Sequence, residues 1–267
     1  MRLAWEFLKR DALIAMSYRT AFATQLIGNV VVLAVFYYIG KMFEGASVEA
    51  LARYGGNYAA FLLIGIAFTD SLGVSVSTFA AQIREGQMTG ALEATLMSPV
   101  PVGRILVYSS LWSYCLSAFR FVLYLALGLL FFGVDLKNAQ LGAGLLVFVL
   151  TVVSFAGLGM IWASIVMLVK RGESIMNLVG GAFLLLGGVM FPVDVLPSWL
   201  QSLSKLIPLT YGLEGMRLTL LQGHRLVQLS EIIGALLLFS IVLVGLGLAG
   251  FSGAVRIVKE RGSLTQF

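Results

Sequence analysis

Two ionisable residues, Asp70 and Arg120, stand deep inside apolar sequence. Ionisable groups within a membrane-length apolar run are costly to insert and by default point to function or to mutual pairing. A second acidic–basic set, Glu214 and Arg217, lies three residues apart on one prospective helix, where the two can face each other. Other chemistry is sparse. His224 is the single histidine and Cys115 the single cysteine, so no His/Cys metal cluster and no internal disulfide is expected. His224, beside Arg225, reads as a solvated loop residue, and Cys115, in an apolar run, as a small packing residue. A serine-hydrolase triad would need that one histidine opposite a nucleophile, and no such motif occurs. A phosphate-cradling Gly-x-x-x-x-Gly-Lys-Ser/Thr loop is absent too. The expectation is a chain with no catalytic centre, no metal and no cofactor of its own.

The elements that must position these residues follow from composition. Of 267 residues, 59% are hydrophobic and 12% charged, with mean hydropathy +0.96. A soluble domain carries about 25% charged residues, so lipid must replace water over much of this surface. Six apolar stretches, at 21–42, 57–79, 104–133, 142–168, 176–191 and 231–253, predict an all-α membrane protein with six transmembrane helices in one domain over 1–267. With a cytoplasmic N-terminus, eleven Lys/Arg fall on inside segments (among them Arg2, Arg84, Arg104, Lys170 and Arg256) and six on outside ones (Lys41, Arg53, Lys137, Lys205, Arg217 and Arg225). The positive-inside rule therefore places both termini in the cytoplasm. Asp70 lies fourteen residues before Arg84 and Arg120 sixteen after Arg104. At 1.5 Å per helical residue those are depths of roughly 21 and 24 Å on neighbouring antiparallel spans. Three readings stay open for them: a structural ion pair, a substrate path in which Arg120 meets an anionic headgroup in a dimer cavity, or an error in span placement.

Three segments outside the spans carry pattern. Residues 1–20 predict an interfacial amphipathic helix, with Arg2, Glu6, Lys9, Arg10 and Ser17 on one arc and Leu3, Phe7, Leu8, Ile14 and Tyr18 opposite. The loop 80–103 contains a helical stripe of Met88, Ala91, Leu92, Thr95 and Leu96, ended by Ser98-Pro99-Val100-Pro101. An exposed apolar stripe packs either on its own chain or on a partner. Residues 192–230 hold Pro192, Pro197 and Pro208, which predict two short helices stopped by Gly223. Neither is long enough to cross, so this segment reads as an outer re-entrant hairpin, its non-helical backbone buried in protein or lining a wet cavity.

The loop residues Glu85-Gly86, Leu92-Glu93 and Ser98-Pro99, together with Phe191-Pro192, Leu196-Pro197, Pro208-Leu209-Thr210-Tyr211, Glu214 and Arg217, resemble the ABC-2 type permeases. The similarity runs over most of the chain, and its nearest groups are drug, nodulation-factor and polysaccharide exporters. The resemblance implies the membrane subunit of an ATP-driven exporter in a prokaryotic inner membrane, moving a lipid-linked, glycan or amphiphilic drug-like substrate. It implies a second permease subunit, as a homodimer, and two copies of an ABC ATPase that binds ATP and Mg. It implies that helix 82–97, through Glu85, Gly86, Met88, Leu92, Glu93 and Leu96, docks on the ATPase. It makes Pro192, Pro197, Pro208, Tyr211, Glu214 and Arg217 an outer gate. Membrane lipids are partners on this reading and nucleic acid is not. The competing classes are a non-transport scaffold, which would not stimulate ATP hydrolysis in a partner, and a lipid-acting intramembrane enzyme, which would need a constellation this chain lacks. Reporter fusions at residue 1 and residue 267 should both report the cytoplasm; an extracytoplasmic signal from either end contradicts the charge distribution.

Overall fold

Apolar stretches free of interior proline can satisfy their backbone in lipid only as helices. In a computed structural model that describes residues 2–17, 19–42, 49–55, 57–90, 102–131, 134, 136–168 and 173–261, every long element is α-helical. The helices are α1 (Arg2–Ser17), α2 (Arg19–Met42), α3 (Tyr58–Met88), α4 (Val102–Phe131), α5 (Leu141–Leu168), α6 (Glu173–Leu186), α7 (Ser198–Ser204), α8 (Pro208–Leu221) and α9 (Ser230–Arg261). Short 3-10 turns occur at Glu49–Tyr54, Val193–Val195 and Leu226–Leu229. Among the described residues, four helices are long and apolar enough to cross a membrane: α3, α4, α5 and the stretch Leu226–Glu260, which takes in all of α9 but its last residue. α2 offers a shorter apolar stretch, Ile27–Met42, and α6 has fourteen residues.

α3 is the central helix, packed on α2, α4, α5 and α8, while α9 lies along α5 and α1 along α4. α3 starts where the Asn57 side chain accepts the Ala60 N–H at 3.0 Å. Four of its hydroxyls are satisfied within the helix: Thr69, Ser71, Ser75 and Thr78 donate to carbonyls four residues back at 2.7–3.2 Å. Phe68 stacks edge-on against Phe121 and Phe148, joining α3, α4 and α5 in one buried core with Leu209, Leu213 and Met216 of α8. On α1, Phe7 meets Tyr108 of α4 at a centroid distance of 6.4 Å, while Glu6, Lys9 and Arg10 stay exposed.

Two expectations need correction. Residues 82–88 are not the start of a separate loop helix: they continue α3 without a break to Met88. The helix stops where Thr89 donates its N–H to Glu85 O and Gly90 takes a φ of +72°. Glu85, Gly86 and Met88 therefore ride on the end of a span, whereas Leu92, Glu93 and Leu96 lie outside the described residues. The second concerns small residues: Gly180-Gly181, Gly187-Gly188 and Gly245 with Ala249 are expected to permit close helix approach. Gly187 does, since an added Cβ would collide with Leu209 Cδ2, but Gly180, Gly181 and Gly245 face open space. Gly157 of α5 makes a further close approach, where an added Cβ would stand 2.6 Å from Val244 N on α9, next to the Ser154–Ser240 hydroxyl contact at 3.0 Å.

Candidate functional site

The α6–α8 connection is where the prolines act. Pro192 precedes the turn Val193–Val195, Pro197 precedes α7, and Pro208 occupies the first turn of α8; each proline begins an element that its own missing N–H would interrupt further in. α8 ends at Gly223, whose φ of +68° lets the His224 N–H turn back to Leu218 O at 3.1 Å. The two short helices predicted from the prolines are thus present, and their backbone is held by protein: α8 packs on α3, α5 and α9. Tyr211 stacks against Phe239 of α9 at 5.8 Å.

Glu214 and Arg217, expected to face each other, do not. Arg217 is 2% exposed and points into the protein. It donates from Nη1 to Gly188 O at 2.8 Å and from Nη2 to Val189 O at 2.9 Å and Phe61 O at 3.2 Å. Its guanidinium lies 3.3 Å from the Phe61 ring centroid. The approach requires Gly65: a Cβ there would meet Val189 O at 2.5 Å and Arg217 Nη2 at 2.8 Å. It also uses Gly188, whose φ of +73° belongs to the left-handed region that glycine enters without strain.

Glu214 turns the other way, to a residue that spacing could not reveal. Arg53, on the turn Glu49–Tyr54, bonds from Nη2 to Glu214 Oε1 at 2.5 Å and from Nη1 to Asp194 Oδ2 at 3.4 Å. Burial alone would lower the Arg53 pKa, but Glu214 and Asp194 outweigh it and hold the guanidinium above its ordinary value. Burial first, then the Glu214 charge, push the neighbouring Tyr54 phenol up. One arginine thereby ties the α2–α3 connection to both ends of the α6–α8 connection. Beside it opens a cavity of about 180 Å³ whose wall includes Arg53, Tyr54, Asp194, Lys205, Tyr211 and Glu214.

The structure also brings Asp70 of α3 to Arg120 of α4, with Asp70 Oδ2 at 3.7 Å from Arg120 Nη1. Contacts between Ser71, next to Asp70, and Ser117, one turn before Arg120, link the two helices: Ser117 Oγ donates to Ser71 O at 3.1 Å, and the Ser71 hydroxyl is shared between Ala67 O at 3.1 Å and Ser117 O at 3.4 Å. The pair is long for a charge-assisted bond. Arg120 Nε and Asp70 Oδ2 make no hydrogen bond among the described residues. Its accessible member is the acid: the Asp70 side chain is 31% exposed and that of Arg120 7%. Among the described residues no group of His, Cys, Asp and Glu could hold a metal ion.

Membrane-length helices around one apolar core, carrying an intramembrane ion pair, define an integral membrane protein. Residues 3–221 match the family model for the ABC-2 type transporter, and the chain belongs to that family. It is similar to Nodulation protein J of Rhizobium leguminosarum bv. trifolii, 28% identical over 204 residues covering 72% of this chain and 73% of that protein. It is also similar to Nodulation protein J of Rhizobium meliloti (strain 1021), 27% identical over 197 residues covering 70% and 71%.

Removing one member of a buried pair leaves an uncompensated charge, at a cost of about 3–5 kcal/mol. Asp70→Ala and Arg120→Ala should each lower thermal stability in detergent, and the double variant should recover part of the loss. Strictly additive losses in that double-mutant cycle would mean the two charges do not stabilise each other.

Proposed function

We propose that this chain is the permease subunit of an ABC exporter in a prokaryotic inner membrane. Two copies assemble with two copies of a separate ABC ATPase, which binds the ATP and Mg. The match to the ABC-2 type transporter family carries this reading, and the missing phosphate loop supports the separate ATPase. In this arrangement α2 and α6 complete six spans, both termini are cytoplasmic, and the α6–α8 connection is the outer re-entrant hairpin. The cargo is lipid-linked, glycan or amphiphilic drug-like, as the resemblance to drug, nodulation-factor and polysaccharide exporters implies.

Magnitudes separate the roles of the charged residues at the outer end. The Arg53 contacts are half-exposed, and exposed ion pairs contribute about 0–1 kcal/mol each. They can open and re-form in every cycle. The Arg217 bonds are buried and go to carbonyls that would otherwise be orphaned, so opening them would cost far more. We assign the gate to Arg53, Asp194, Glu214 and Tyr211, moving with the proline-bounded helices, and assign Arg217 to the fixed seat on which they turn. ATP binding moves the coupling segment around Glu85 to Leu96, and the spans rock against each other. A ligand approaching the intramembrane pair meets the Asp70 carboxylate before Arg120, which weighs against Arg120 as a receptor for anions and for a pair that positions α3 on α4.

Co-expression with an ABC ATPase from the same genome tests the assignment. The complex should hydrolyse ATP faster than the ATPase alone, and Leu92→Asp with Leu96→Asp should insert normally yet abolish the stimulation. No stimulation by the intact chain would contradict the transporter role; full stimulation by both variants would remove the stripe from the ATPase contact.

A further inference from the structure

The cavity beside Arg53 has a wall chemistry that selects its occupant. At about 180 Å³ it is smaller than the roughly 300–1,000 Å³ that drug-sized ligands occupy, and suits one small ring. Its wall offers donors, the Lys205 ammonium and the Tyr54 and Tyr211 hydroxyls, beside several acceptors. Arg53 engages Asp194 Oδ2 and Glu214 Oε1, which leaves the second oxygen of each carboxylate without a hydrogen bond among the described residues. Gln201 spends its Nε2 on Asp194 O at 3.2 Å and Leu196 O at 2.8 Å, so its Oε1 remains an acceptor. Thr210 donates to Ser204 O at 2.8 Å and likewise keeps acceptor capacity.

Charge narrows the choice. Arg53 and Lys205 oppose Asp194 and Glu214 on this wall, and Arg217 is committed to backbone carbonyls. An anion would meet the Asp194 and Glu214 carboxylates, and a cation would meet Arg53 and Lys205. The ligand that satisfies the wall is neutral and carries several hydroxyls, which both donate and accept. Tyr54 and Tyr211 add aromatic surface, and Tyr211 is braced from behind by Phe239. An aromatic wall favours a ligand with an apolar C–H face as well as hydroxyls. We propose that this cavity is a binding site for a single pyranose ring, a sugar unit engaged at the outer end of the path. The proposal rests on the export reading for the source of that sugar, a glycan portion of the cargo. Hydroxyls donated to the second oxygens of Asp194 and Glu214 draw on the same carboxylates that hold Arg53, so occupancy weakens the bridge between the α2–α3 connection and the hairpin.

The test is saturation-transfer NMR on the full chain in lipid nanodiscs. The probes are D-glucose and N-acetyl-D-glucosamine, with sorbitol as an open-chain comparison that has the hydroxyls but no ring face. The wild type should transfer saturation to both ring sugars and much less to sorbitol. Tyr211→Ala and Gln201→Ala, accepted only if monodisperse, should weaken binding about tenfold, as expected for loss of a half-buried polar or aromatic partner. Should either variant fail to fold, the ring-over-sorbitol preference of the wild type, abolished by filling the cavity with Thr210→Trp, decides the matter. No transfer to either ring sugar, equal transfer to sorbitol, or binding indifferent to these variants overturns the site. Failure of the export role would show separately, as absent ATPase stimulation with sugar binding intact.

Discussion

The buried guanidinium of Arg217 fixes where the α6–α8 connection sits. The turn after α6 exposes the carbonyls of Gly188 and Val189, and α3 has its own carbonyl at Phe61 turned to the same point. The two turn carbonyls have no backbone donor among the described residues, and a buried carbonyl without a partner costs about 1–3 kcal/mol. Arg217 supplies donors to all three from one planar group and lays its face on the Phe61 ring. Lysine could not do the same, because it is a point charge without the fork. The neighbouring sequence fits this demand: Gly65 leaves room on α3, and Gly188 takes the left-handed turn that aims its carbonyl. Three chain segments thus meet on one side chain, and α7 and α8 are placed by it.

Around that seat the other charges divide by burial. Arg53 is half in water and joins two carboxylates across the cavity, a weak and reversible contact. Asp70 and Arg120 lie between two spans that the Ser71–Ser117 contacts already link. The same three ingredients, arginine, carboxylate and carbonyl, give a buried seat, a half-exposed bridge and a brace between helices according to how much water reaches each. On the proposed transport role, the bridge is the part that opens and the seat the part that does not.

Much of this was legible in the sequence, for local reasons. Proline and glycine act on their own backbone, so Pro192, Pro197, Pro208 and Gly223 marked the short helices α7 and α8 correctly. The matching depths of Asp70 and Arg120 followed from helical rise alone. What periodicity could not supply was direction. Spacing of three allows Glu214 and Arg217 to meet, but α8 is buried on one side and open on the other, so the two side chains part. Arg53 was visible only as an outside charge, because its partners are 141 and 161 residues away. A helical stripe beginning near 82 looked like a new element, although the real boundary was written in Thr89-Gly90, where a capping threonine meets a glycine at positive φ.

The role of Arg217 as the seat of the hairpin is tested most directly by hydrogen–deuterium exchange on the wild type, Arg217→Lys and Arg217→Ala in nanodiscs. Loss of the fork should speed exchange over residues 187–195 and the first turn of α8, more for alanine than for lysine, while the α5–α9 contact stays protected. Unchanged protection over 187–195 in both variants, or a uniform rise across all helices, would contradict the account.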